Sequence, residues 1–192
     1  MGVTLVGCAA GTDAVTPAGV PASRGGVDRI GVVAPSLADA HWVVPPPTPL
    51  SDRVRLIRFW TDTCPFCRAS APALAELDRK YRDAGLSVVG IHHPKPRGTP
   101  SDDAAIAEVV RGWGWEFAVA TDDDWSLLEA YWLSSGERDY TSVSFLIDRT
   151  GKIRFVHPGP EFHRDGPADH AQCRDDYADL EAAIAALLSE QP

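Results

Sequence analysis

Val54 to Trp60 is a short run of β-forming residues, and the stretch after Cys67 carries Ala71, Leu74, Leu77 and Tyr81 on one face of a helical repeat. The order predicted is strand, short loop, helix. Leu86 to Ile91 reads as a second buried strand, preceded by the turn residues Asp83-Ala84-Gly85. Thr99-Pro100-Ser101-Asp102 offers an N-cap at Thr99, proline at the first helical position and acids in the first turn. A helix through Ile106, Val109 and Val110 to Gly112 follows.

Glu116 to Ala120 is a third candidate strand, and Thr121-Asp122-Asp123-Asp124 has capping-box spacing for a short helix through Trp125, Leu128 and Trp132. Val143 to Asp148 and Lys152 to Val156 flank Arg149-Thr150-Gly151, a hairpin signal. A closing helix shows Tyr177, Leu180, Ile184, Leu187 and Leu188 at helical spacing, with Asp175 and Asp176 at its positive end. A βαβ beginning, a second crossover, a hairpin and a last helix add up to an α/β fold. Its mixed central sheet should carry helices on both faces.

Residues 1–50 differ in composition. Gly, Ala, Pro, Ser and Thr dominate as far as Pro45-Pro46-Pro47-Thr48-Pro49, which reads as a linker, so the packed domain is expected to occupy residues 51–192. Leu5-Val6-Gly7-Cys8 resembles the lipobox of bacterial lipoproteins, whose cysteine is lipidated after export. Met1 to Gly7 supplies neither the basic region nor the apolar length of a complete signal. Either a lipid anchor at Cys8 on a late-started signal or an accidental match fits these residues.

The 192 residues carry a net charge of −9, which disfavours nucleic acid and anionic lipid as partners. No apolar run reaches the length of a spanning helix. Four cysteines, Cys8, Cys64, Cys67 and Cys173, are too few and too uneven for a disulfide scaffold.

Cys64-Pro65-Phe66-Cys67 stands between the first strand and its helix. At a helix start, two cysteines so spaced lie within bridging distance, and unpaired N–H groups with the helix dipole favour a thiolate at the first. Cys64 is therefore the expected nucleophile and Cys67 the resolving thiol. Pro65 gives up no hydrogen bond at the opening of the helix. Half a zinc site is the other meaning of a CxxC, but no second CxxC exists, so no resident metal or cofactor is expected.

Phe59-Trp60-Thr61-Asp62-Thr63-Cys64-Pro65-Phe66-Cys67-Arg68-Ala69-Ser70-Ala71-Pro72 resembles the active-site signature of the TlpA/ResA-type thioredoxins, and Ser144 to Ile153 resembles their hairpin. The resemblance spans about residues 52–156. It implies a thioredoxin-like fold, an extracytoplasmic location in the periplasm or at the cell surface, exported or membrane-bound thiol and disulfide proteins as partners, and a reductant or oxidant that resets the pair. Trp60, Pro65, Phe66, Ser142 and Val143 would then wall the active site.

Two positions depart from that family. Ser142 occupies the place of its cis-proline facing the CxxC, and Ser70 the place of a proton-transferring glutamate. His92, His93 and His157 are the candidates left for proton transfer.

Two rivals share the broader superfamily. A thiol peroxidase would use Thr61, three residues before Cys64, but lacks the matching proline, since Ile57 stands there. A Sco-like copper-handling protein would add His92 or His93 to the cysteines, although His-His before Pro94-Lys95-Pro96 is ordinarily a solvent-facing loop. Finally, His157, His163, His170 and Cys173 cluster after the hairpin. They read either as a polar surface loop with Cys173 packed as a small residue or as an accessory ligand set whose spacing matches no standard zinc pattern.

Overall fold

Val54–Trp60 (β2) and Leu86–His92 (β3) bury almost every residue, as strands covered on both faces must. They pair in parallel from Val54 opposite Leu86 to Trp60 opposite His92. In the computed structural model, which describes residues 19–138 and 140–190, they form the middle of a six-stranded sheet ordered β1-β4-β3-β2-β5-β6. The other strands are His41–Val44 (β1), Ala118–Thr121 (β4), Ser144–Ile147 (β5) and Ile153–His157 (β6). β4 runs parallel to β3, whereas β1, β5 and β6 are antiparallel to their neighbours.

Alternation along β2 divides the core. Leu56 and Trp60 face the layer of helices Pro65–Tyr81 (α1), Asp103–Gly112 (α2) and Ala171–Ser189 (α4). Ile57 and Phe59 face Ser126–Tyr131 (α3) on the other side. The sheet is thus mixed and covered on both faces, a thioredoxin-like α/β fold.

Two helices start later than expected because a carboxylate is the stronger acceptor, and a third starts before its expected acids. α2 is capped by Asp102, which accepts from the N–H groups of Ala104 and Ala105, and not by Thr99, whose hydroxyl donates to the Pro96 carbonyl. α3 starts at Ser126 rather than near Thr121, because Asp122 reaches forward to the N–H groups of Leu127 and Leu128. α4 starts at Ala171, so Asp176 lies inside the helix and turns inward, toward His157 and Arg24.

The stretch read as linker contributes to the sheet. β1 pairs with β4, from His41 opposite Thr121 to Val44 opposite Val119, and Val20 and Leu37 are buried against the domain. The lipobox residues up to Cys8 lie outside the described residues. No helix among the described residues is long and apolar enough to cross a membrane.

Candidate active site

β2 ends at Trp60, and the loop Thr61-Asp62-Thr63 delivers Cys64 to the N-cap of α1. Proline at the first helical position pre-sets the turn. Cys64 Sγ accepts from the Cys67 N–H at 3.3 Å, as an N-cap side chain does. Both cysteines are thiols; Cys64 is half-buried and Cys67 buried.

Ser142 lies at the approach to β5 and sets its hydroxyl between the two, 3.1 Å from Cys67 Sγ and 3.8 Å from Cys64 Sγ. The next residue, Val143, is fully buried, and its carbonyl accepts the Phe59 N–H. Phe66 stands 48% exposed beside the pair. Trp60 is fully buried, its ring centroid 4.9 Å from that of His92 and 5.0 and 5.2 Å from Trp113 and Trp115. That aromatic cluster needs Gly90, where a Cβ would come within 2.9 Å of Trp115.

The thiols are unequal. Burial pushes Cys64 up, but bonds from the Cys67 thiol and N–H, the Ser142 hydroxyl and the Phe66 N–H outweigh it and hold Cys64 below the usual thiol range. For Cys67 the heavier burial wins and its value rises, although the Arg58 charge and Ser142 draw it down.

Arg58 is the residue that sequence reasoning passed over. It is fully buried on the same face of β2 as Leu56 and Trp60, and its guanidinium donates to Ser144 Oγ (3.2 Å), the Gly159 carbonyl (3.4 Å) and the Pro160 carbonyl (2.7 Å). Phe162 lies 5.5 Å from it, ring to cation. Desolvation lowers its pKa, yet a guanidinium stays charged, so a fixed cation acts on both sulfurs from within the core.

The three histidines occupy different places. His92 is buried, bonded to Ser101 Oγ at 3.2 Å and to Asp62 Oδ1 at 3.3 Å, and so braces the loop before Cys64. His93 is fully buried rather than solvent-facing; its Nε2 lies 2.8 Å from Thr141 Oγ1, next to Ser142, and burial with nearby cations pushes its pKa down to about 3. His157 is enclosed between Asp176, 3.3 Å from its Nε2, and the Phe162 ring. Burial lowers its pKa too, and neither sulfur is among its partners. Ser70 is spent on structure, donating to the Phe66 carbonyl and accepting from the Phe162 N–H.

No histidine joins the CxxC in a cluster of ligand atoms among the described residues. The Thr61 hydroxyl bonds to Asp62 and Thr63 and to neither sulfur.

A family model named Redoxin matches residues 47–171. The chain belongs to the Redoxin family. Within it, this redoxin is 27% identical over 110 residues to thiol-disulfide oxidoreductase YkuV of Bacillus subtilis (strain 168), covering 57% of this chain and 70% of that one. It is 30% identical over 142 residues to the thiol:disulfide interchange protein DsbE homolog of Paracoccus denitrificans (strain Pd 1222), covering 71% and 70%. With other curated relatives the shared stretch is a smaller part of their length, half of the ResA proteins and 15% of the DipZ proteins. A thiol:disulfide interchange protein of the thioredoxin family from Chlorobium tepidum TLS shares the fold at TM-score 0.61 and 20% identity, over 82% of this chain and 96% of that one. With its paired thiols, this redoxin is a thiol–disulfide oxidoreductase.

Proposed function

We propose that this redoxin exchanges disulfides with exported proteins outside the cytoplasm, Cys64 attacking and Cys67 resolving. The contrast between the two thiols carries the reading: Cys64 is accessible and held below the ordinary thiol range, Cys67 is enclosed and pushed above it. The Cys64 thiolate attacks one sulfur of the partner disulfide, that S–S bond breaks, and a partner thiolate leaves as the mixed disulfide forms. Cys67, once deprotonated, attacks Cys64 Sγ, which releases the second partner thiolate and closes a Cys64–Cys67 disulfide. Two electrons pass to the partner. A dithiol reductant returns them by the same exchange.

Phe66, exposed beside the pair, offers an apolar contact for a partner segment, while Trp60 and Val143 are too buried to touch one and shape the site from behind. His93 and His157 act as neutral positioning groups, since burial disfavours their protonated forms. Lipid anchoring through Cys8 would hold the protein at a membrane surface and fits the lipobox resemblance.

The test is a pair of variants assayed for reduction of insulin disulfides. Cys64→Ser should abolish turnover and Cys67→Ser should accumulate mixed disulfides that a gel without reductant reveals. Parent-like turnover by Cys64→Ser overturns the assignment.

A further inference from the structure

The connection from β6 to α4 gathers donors that the CxxC chemistry leaves unused. A carboxylate oxygen of Glu161, a ring nitrogen each of His163 and His170, and the sulfur of Cys173 all lie within 4.8 Å of one another. His163 Nε2 stands 3.0 Å from His170 Nδ1 and 3.3 Å from Glu161 Oε1, and His170 Nδ1 stands 3.7 Å from that same oxygen. Donors about 2.0–2.3 Å from a tetrahedral zinc ion sit roughly 3.3–3.8 Å apart; both separations from Glu161 fall in that range and the His163–His170 pair lies just below it.

Local structure explains the convergence. Glu161 and His163 are two residues apart and flank buried Phe162. His170 stands at the N-cap position of α4 and Cys173 follows three residues later, on the same side of the first turn. The His163 N–H donates to the Cys173 carbonyl at 3.2 Å and ties the two halves together. Gly166 lets the intervening loop close against the His163 ring, where a Cβ would come within 2.3 Å of Cε1. The ligands come from a loop and a helix cap, which is why their spacing matches no standard zinc pattern.

We propose that Glu161, His163, His170 and Cys173 form a four-donor site for a divalent d-block cation, with Zn²⁺ as the best fit. Two imidazoles, a thiolate and a carboxylate suit a borderline-soft ion and not Mg²⁺ or Ca²⁺, which take oxygen donors. Four protein donors leave no open position, which makes the site structural. The ion would clip down the strap that runs beneath the active site, where Gly159 and Pro160 hold Arg58 and the Phe162 N–H reaches Ser70. None of the four ligands belongs to the CxxC, so metal binding stands or falls separately from the redox reading.

The test uses the full chain carrying Cys64→Ser and Cys67→Ser, so that the CxxC cannot hold metal. Titration with Zn²⁺ against a chromophoric chelator should give about one bound equivalent. Co²⁺ in its place should show tetrahedral d–d absorption and a thiolate charge-transfer band, and adding Cys173→Ser should remove that band. His170→Ala, at a half-exposed position chosen to spare the fold, should weaken Zn²⁺ by more than the ~100-fold that loss of an outer-sphere partner costs. No stoichiometric binding, a charge-transfer band that survives Cys173→Ser, or parent-like affinity in His170→Ala overturns the proposal.

Discussion

The Ser142 hydroxyl lies 3.1 Å from the sulfur of Cys67, and the same oxygen is 3.8 Å from the sulfur of Cys64. One donor thus serves whichever sulfur is ionised. Ser142→Ala removes it, and a hydrogen bond to a charged group contributes about 1.5–3 kcal/mol, so the Cys64 pKa should rise by roughly one unit after relaxation. The rate of alkylation by iodoacetamide against pH reads this directly. A titration midpoint unmoved by the substitution would leave Ser142 without an electrostatic role. Ser142→Pro should change partner selection more than stability, read as altered rates toward two unrelated disulfide substrates beside an unchanged melting temperature.

Arg58 should govern the second half of the exchange. Its charge lowers the cost of ionising buried Cys67, so Arg58→Met should raise the pH at which mixed disulfides resolve. Each unit of upward shift removes about tenfold of the thiolate and returns about threefold in nucleophilicity, for a net slowing of about three- to fourfold. Stopped-flow decay of a preformed mixed disulfide gives the profile. Arg58→Lys, which keeps the charge but not the planar fork, should fall between parent and Arg58→Met, and equal profiles for all three would exclude the cation from the step.

The centre of the fold and the CxxC were legible because each rests on a local pattern. A β-run followed by cysteines and a 3.6-residue repeat can bury its apolar face in only a few ways. Arg58 was hidden because a charge in a strand reads as a solvent-facing position. The available signal was alternation: Leu56, Arg58 and Trp60 share one side, and that side is core. β1 was hidden for another reason. A four-residue edge strand just before a proline-rich stretch, exposed or half-exposed throughout, carries almost no period to detect. The cluster at Glu161, His163, His170 and Cys173 depends on a loop closing over ten residues, which spacing alone does not reveal.

β1 and its approach should matter to stability. A chain beginning at Ser51 loses β1, uncovers the edge of β4 and removes buried Val20 and Leu37, each worth about 1.5–3 kcal/mol of apolar burial. Compared with a chain beginning at Gly19, it should melt at lower temperature and associate through the exposed edge. Equal melting curves and equal elution volumes would restore the linker reading of residues 19–50.

His93 should make the fold acid-sensitive. Its imidazole is enclosed, and burial first, then the charges of Lys95, His92 and Arg58, lower its pKa from 6.5 to about 3. The folded value lies below the unfolded one. Above pH 6.5 neither state holds the proton and the contribution is complete. As pH falls from 6.5 toward 3, the unfolded chain takes up a proton that the folded chain refuses, and stability drains away. At about 1.4 kcal/mol per unit the full window is worth roughly 5 kcal/mol. His92 and His157 shift in the same direction and add to the slope. Carboxylates also titrate toward the acid end of this range, so the decisive quantity is a difference between variants. His93→Gln keeps a partner for Thr141 but cannot ionise. Urea unfolding of parent and variant across this window should show the variant losing stability more slowly, by up to one proton's worth of slope. Parallel curves would mean that His93 accepts its proton without unfolding, and would return it to the candidates for proton transfer.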